Sequence, residues 1–306
     1  MPRPSTAAAR LPAQEEDSLG ARLARASAPW RISRQLRLLG RTPRREDETF
    51  RFAVLGDAEP GRFWLWRRLF NVAGVFERFV RELQAQDIDF SIQLGDMVSR
   101  GSERNYLRFF RDLGRWGVKV PYLPVIGNHD RRSPHGRSDA ALYRELVGPT
   151  DYMFDRGAAR FVSLDTSAGR LTAAQLSWLD RVLETDRRKL VFTHMPPAPL
   201  RRWTSIGRAR GLAGFSRGAR EFVEVVSRRR VDRVYLGHIH AFGVQDFGGV
   251  RYILTGGGGS PLYPSWVEDK FHHYLLVEAG PGGVRETVRC ADGKSLSIPA
   301  AKVVLA

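Results

Sequence analysis

Five apolar runs in this 306-residue chain each stop at a residue able to bind a metal ion. Phe52 to Gly56 leads to Asp57, and Ile92 to Gly95 leads to Asp96. Tyr122 to Gly127 leads to Asn128 and His129, Leu190 to Thr193 leads to His194, and Val234 to Gly237 leads to His238. The carboxyl ends of adjacent strands in an open α/β sheet deliver side chains into one crevice. Five such deliveries therefore define a single candidate site. Glycine precedes four of these residues, as expected where a strand turns sharply and a Cβ would clash. His238 and His240 are two residues apart, so an extended segment points both rings to one side. His135, His272 and His273 lie outside these blocks and read as ordinary core or surface histidines.

Carboxylates, one amide and several imidazoles without thiolates suit borderline-hard divalent or trivalent ions such as Mn, Fe or Zn. The single cysteine, Cys290, excludes a disulfide framework and any multi-cysteine zinc site. The ligand inventory exceeds one tetrahedral shell. Two ions roughly 3.5 to 4 Å apart, sharing a bridging carboxylate and hydroxide, fit the surplus and suit in-line displacement at phosphorus.

The elements that must position these residues follow from hydrophobic periodicity. Strand-like runs occur at 51–55, 90–94, 120–126, 161–164, 190–193 and 231–236, with helical stretches between several of them. The stretch from Trp64 to Gln84 reads as one long amphipathic helix, and 105–113, 139–146, 172–183 and 218–228 as shorter ones. Thr172 with Gln175 three residues on is a capping-box pair. Beyond His240 strands dominate, at 250–254, 273–278, 284–288 and 302–305. Alternation followed by extra strands points to an α/β fold with a second sheet or an extended edge. Residues 1–48 read as a basic N-terminal extension, partly disordered, with helix near 19–26 and 30–39; the second stretch sets Trp30, Ile32, Leu36 and Leu39 among arginines, and packing on the main domain is preferred for it to a membrane-surface helix. Residues 49–290 form the catalytic domain, and 291–306 a tail or edge strand.

Written out, the blocks are Gly56-Asp57-Ala58-Glu59, Gly95-Asp96 through Arg100-Gly101, Gly127-Asn128-His129-Asp130, Thr193-His194 and Gly237-His238-Ile239-His240. In this order they resemble the signature of the calcineurin-like metallophosphoesterases, from about Phe50 to Glu278. The resemblance implies two facing mixed β-sheets flanked by helices, a four-layer α/β/β/α sandwich, and two metal ions. It implies that Asp96 bridges both metals, that Asn128, His194 and His238 complete one shell, and that Asp57 and His240 serve the other. His129 is then a general acid or transition-state stabiliser, oriented by Asp130; Asp130 as a mere turn residue is the alternative. One position departs from the family pattern: Glu59 stands where its Asp-x-His block has histidine. Ligation by Glu59 is the reading adopted, against a place behind the ligands or a solvent-facing one.

Arg100, Arg104, Arg131 and Arg132 lie beside motif loops, and a guanidinium can hold phosphate oxygens in a fork. Arg100 and Arg131 are taken as substrate contacts, together with Gly257 and Gly258 in the glycine run after Thr255, whose amides could cradle phosphate. Trp64, Trp66 and Trp203 are read as core or pocket rim, core being the commoner role.

The net charge of +16 raises nucleic acid as a partner. The arginines are spread along the whole chain, however, so solvated faces and attraction of anionic substrates are the readings preferred. No apolar run is long enough to span a bilayer, and no apolar leader stretch opens the chain, which together favour the cytoplasm. The function expected is hydrolysis of a phosphate ester, monoester or diester. The rivals are a catalytically weakened binding scaffold, suggested by Glu59, and a nuclease or end-processing phosphatase, suggested by charge.

Overall fold

A computed structural model describes residues 18–58, 74–131, 139–204, 214–262 and 270–299. Glu59, Trp64, Trp66, Arg132 and the strand expected at 302–305 lie outside the described residues. In chain order the elements begin with helices α1 (Leu19–Ser27) and α2 (Ile32–Leu39), strand β1 (Phe50–Leu55), α3 (Val75–Leu83) and β2 (Phe90–Gln93). There follow α4 (Glu103–Arg115), β3 (Tyr122–Pro124), α5 (Ala141–Leu146), β4 (Tyr152–Arg156), β5 (Ala159–Leu164), α6 (Ala173–Val182) and β6 (Arg188–Thr193). The remainder is α7 (Arg201–Thr204), α8 (Ala219–Arg228), β7 (Arg233–Leu236), β8 (Phe242–Phe247), β9 (Val250–Thr255), β10 (His273–Gly280), β11 (Gly283–Cys290) and β12 (Ser295–Ser297).

The strands form two six-stranded mixed sheets, ordered β12-β11-β10-β1-β2-β3 and β4-β5-β6-β7-β9-β8. In the first, β1, β2 and β3 are parallel; in the second, β5, β6, β7 and β9 are. Parallel strands buried on both faces are expected to be continuously apolar, and Phe90–Gln93 and Val250–Thr255 are buried at every position. An aromatic wall joins the sheets. Phe52 and Phe90 stack at 5.1 Å and both meet Phe161 of the other sheet edge-on at 5.2 Å. Phe161 continues through Phe192 to Tyr235. Each such ring contributes roughly 1.5–3 kcal/mol by burial, so this contact fixes how the sheets face each other.

The expected two-sheet α/β sandwich is therefore present, with differences in detail. The helix expected from Trp64 does not run unbroken to Gln84. Gly74 adopts the left-handed region (φ 78°), and α3 begins after it. The capping box at Thr172 and Gln175 forms as expected. Strands β4 and β8 have no counterpart among the apolar runs, and β12 lies within 291–306, the segment read as a tail or edge strand; all three are sheet edges with mixed or full exposure, so they lack the apolar run that marks a central strand. The fourth edge, β3, is covered by the N-terminal helices. Gln35 of α2 accepts a hydrogen bond from the Tyr122 amide and donates to the Pro29 carbonyl, and Trp30 packs edge-on against Tyr122 at 6.3 Å. Residues 18–48 thus satisfy a strand edge that would otherwise be open. Among the described residues no helix is long and apolar enough to cross a membrane.

His273, fully buried at the start of β10, donates from Nδ1 to the Phe271 carbonyl and accepts at Nε2 from the Thr255 hydroxyl. Burial, with the nearby His272, lowers its pKa to about 4. A base whose folded pKa lies below its unfolded value gives stability that is present above pH 6.5 and lost as pH falls toward 4. Acid titration should therefore cost roughly 3 kcal/mol across that window. Chemical denaturation of wild type and His273→Gln at pH 7 and pH 4.5 checks this: the pH-dependent difference should shrink in the variant, and an unchanged difference would place the acid sensitivity elsewhere.

Candidate metal centre

The parallel strands of both sheets end at one place. Asp57 follows β1, Asp96 follows β2, Asn128 follows β3, His194 follows β6 and His238 follows β7. All five are buried, as is His240. Ligand-capable atoms of Asp96, His194 and His238 lie within 4.8 Å of one another, and so do those of Asp57, Asp96 and His240. Asp96 belongs to both groups. Asn128 Oδ1 lies 2.9 Å from His194 Nε2 and 3.0 Å from His238 Nδ1. His194 stands between the groups, with Nε2 3.3 Å from Asp96 and Nδ1 3.8 Å from Asp57.

Turn geometry makes this convergence possible. Asp96 and His238 are both in the left-handed region, at φ 48° and 69°, a conformation that costs non-glycine residues of order 1–3 kcal/mol and clusters at functional sites. Gly95 precedes Asp96 at φ 90°. Gly127 has no room for a side chain, because a Cβ there would lie 2.1 Å from Asp96 Oδ1 and 2.2 Å from the Asp96 amide nitrogen.

Backbone groups orient the ligand-capable side chains. The His129 amide donates to Asp96 Oδ1 at 2.9 Å, and the His238 amide approaches both Asp57 oxygens at 3.1 Å. His194 Nδ1 is 2.7 Å from the Leu94 carbonyl and His240 Nδ1 is 2.7 Å from the Pro261 carbonyl. A carbonyl accepts only, so in both rings the proton sits on Nδ1 and Nε2 is turned toward the carboxylates. These orienting carbonyls carry no sequence signature, since every residue type has one.

Electrostatics mark the same point. Burial alone would raise the Asp96 carboxyl, but His194, with help from His129 and His238, holds it well below the usual carboxylate range. Burial would lower His194, yet Asp96 and then Asp57 push it up to about 10. Burial and the neighbouring His194 drive His238 well below its ordinary value. Two buried carboxylates and an amide oxygen converge here on imidazole nitrogens, so the site demands positive charge. His194 can supply one proton. Divalent or trivalent cations between the same oxygens and imidazole nitrogens would satisfy the demand fully, so the donor set fits a metal centre.

The hydrogen bonds seen at the Asp130 side chain run to backbone amides. Its carboxylate is occupied by the amides of Val98 and Gly127, at 3.1 and 2.8 Å, and its carbonyl accepts from the Tyr106 hydroxyl. It ties the Asp96 loop to the Asn128 loop. Burial and the adjacent Asp96 charge push its pKa up to about 8. His129 Nδ1 lies 3.1 Å from the Ser99 carbonyl. His129 is half-buried, unlike the six buried residues around it.

The substrate-side expectations fare differently. Arg100 is exposed on the loop leading into α4. Arg131 is buried, its guanidinium engaging Ser167 at 2.8 Å and Asp165 at 3.3 Å, so it braces two loops from within. Gly257 and Gly258 are buried too. A Cβ at Gly257 would meet His273 at 2.5 Å and one at Gly258 the Gly56 carbonyl at 2.6 Å. Close packing alone requires glycine at both positions. Trp203 lies in the core packed around α8.

Comparisons with known proteins bear on the family and the fold. A family model described as calcineurin-like phosphoesterase matches residues 50–242. A Rhodopseudomonas palustris protein named as a probable cyclic nucleotide phosphodiesterase is 30% identical over 167 residues, which cover 50% of this chain and 57% of that protein. A Fibrobacter succinogenes protein of similar name is 27% identical over 113 residues, 37% of this chain and 43% of that one. The chain thus spans about half the length of these curated relatives. Among solved structures, a purple acid phosphatase from yellow lupin superposes with a TM-score of 0.63 at 16% identity, covering 84% of this chain and 54% of that one. The Plasmodium protein GAP50, described as the anchor in the inner membrane complex, gives 0.53 at 17% identity, covering 84% and 91%. At these identities the structural likeness concerns the fold.

The space around Gly127 yields a test. Gly127→Ala should displace Asp96 and weaken metal binding by at least about tenfold, whereas Gly114→Ala, on a helical position with no atom within 4 Å of the added Cβ, should stabilise by about 0.5–1 kcal/mol. Calorimetric metal titration and thermal melts of both variants read this out. Wild-type metal affinity in Gly127→Ala would mean that Asp96 is not where the ions bind.

Proposed function

The chain belongs to the calcineurin-like phosphoesterase family, and from that premise we propose that it hydrolyses phosphate esters at a dinuclear metal centre. The observation that carries the proposal is the pair of ligand groups sharing Asp96. Asp96 would bridge the two ions, Asn128, His194 and His238 would complete one shell, and Asp57, His240 and Glu59 would form the other. When bound, two cations such as Mn, Fe or Zn would supply hydroxide as nucleophile at neutral pH and neutralise charge on the phosphoryl oxygens.

The chain's own residues do the rest. Peptide amides at His129 and His238 hold the Asp96 and Asp57 carboxylates in place, so no reorganisation is needed when charge develops. His129, half-buried and with Nδ1 donating to the Ser99 carbonyl, would turn Nε2 to the ester. As imidazolium it would donate that proton to the departing oxygen. Asp130 holds the two loops at fixed separation through the Val98 and Gly127 amides, which sets where His129 sits relative to Asp96. The curated relatives are named as cyclic nucleotide phosphodiesterases, which favours a phosphodiester as the substrate class over a monoester.

His129→Ala should lower turnover of bis-p-nitrophenyl phosphate by about 10²–10⁴ while metal content stays near wild type. Asp96→Asn should lose metal as well as activity. If neither change affected hydrolysis that wild type performs, the assignment would fail. Glu59→Ala separately tests the atypical ligand: metal analysis should show occupancy falling from about two ions toward one, and unchanged stoichiometry and affinity would remove Glu59 from the shell.

A further inference from the structure

In the linear sequence the arginines look scattered, but the fold gathers one group onto neighbouring helices. From Ser18 to Arg45 every charged residue is an arginine. Helix α1 lies along α4, and α2 lies against β3. Packing consumes the apolar residues Leu23, Trp30, Ile32 and Leu39, and the side left in solvent is basic. On α4 the exposed arginines fall at 104, 108, 111 and 115, a three-and-four spacing that keeps them on one face.

These charges are not cancelled as others are. Helix α3, which meets α4 through Phe76 and Phe109, pairs Arg81 with Glu77 and Arg78 with Glu82. On α4, by contrast, Asp112 is shared between Arg115 at 3.5 Å and the charge of Arg108. At the start of α4, Arg104 borders a cleft with Glu103, Asp139 and Glu145, so charge is partly balanced there. Among the described residues Arg22, Arg34, Arg37 and Arg111 join no salt bridge. The excess therefore concentrates on α1, α2 and the C-terminal half of α4.

We propose that this face binds the phosphate backbone of a nucleic acid. Guanidinium groups match phosphate oxygens in forked geometry, and thirteen-residue α4 is about 20 Å long, room for roughly six nucleotides of one strand. A lipid phosphate offers the same anion, but surface-seeking helices also present apolar side chains to the bilayer. Here the large apolar side chains of α1 and α2 are buried or half-buried, and none is exposed. The exposed large apolar residues among the described ones, Phe247 and Leu296, sit on β8 and β12, at the sheet edges remote from β3. The face also leads toward the metal centre, since α4 begins just beyond Ser99, whose carbonyl holds His129.

The test uses the full chain with chelator present, so that binding is read apart from hydrolysis. Fluorescence anisotropy of a labelled duplex DNA of about 20 base pairs should show log affinity falling linearly with log salt, with a slope near −4 to −5 for about five phosphate contacts. Arg22→Glu/Arg108→Glu/Arg111→Glu should weaken binding at least ~30-fold and flatten the slope by about 3. A milder Arg22→Gln/Arg108→Gln/Arg111→Gln variant should move both readings the same way. Reversal of Arg181, Arg220 and Arg285, exposed on other elements, should change affinity less than about threefold. Salt-insensitive binding, equal losses in the control triple, or sedimentation with phosphatidylglycerol vesicles in place of DNA binding would overturn the proposal.

Discussion

Two carboxylates without access to solvent, Asp57 and Asp96, impose the condition that the rest of the structure meets. A buried anion left uncompensated costs several kcal/mol, so positive charge and hydrogen-bond donors must surround the pair. The amides of His129 and His238 supply part of this, and His194 between the carboxylates supplies more. Each contribution fixes backbone as well as side chain. The left-handed turns at Asp96 and His238 exist because an amide or a carboxylate has to point inward from a strand that has just ended.

Such a site needs strand ends from two sheets to meet within a few ångströms, and that separation is set far from the site. The rings of Phe52, Phe90, Phe161 and Phe192 fill the space between the sheets. Interiors are close-packed and yield little, so the aromatic wall transmits a fixed spacing to the carboxyl ends of β1, β2, β6 and β7. At the seam itself, glycines occupy the positions where any Cβ would strike backbone or a ligand, as Gly127 does against Asp96 and Gly56 against the Thr255 carbonyl. Packing distance and ligand distance are thus the same constraint seen at two heights of the sandwich.

What could be read in the sequence follows from how local each feature is. The ligand-capable residues were legible because they are rare types placed at the ends of apolar parallel strands. The cap at Thr172 was legible because its partner is three residues away. Strands β4 and β8 were not, since an edge strand shares its residues with solvent. The amides that hold Asp130 were not legible, because they depend on which loop lies beneath: Val98 arrives from a different strand connection. The contacts of Arg131 with Asp165 and Ser167, which lie beyond β5, were not legible for the same reason. Long-range contact decides such roles, and spacing in the chain does not encode it.

The N-terminal segment joins these themes. Gln35 closes the β3 amide that would otherwise be bare, and Ile32 packs on the core while its amide bonds to the Val147 carbonyl. Arg156, buried against Asp89, also donates to the carbonyls of Leu39 and Thr42, fastening the end of α2 to the second sheet. These contacts place one face of the segment in the fold and leave the other to water. Its arginines are therefore held in a defined arrangement by the contacts that seal the sheet edge. A flexible basic tail would have to be ordered on binding at the expense of chain entropy. A basic surface built on helices already required for folding avoids that cost.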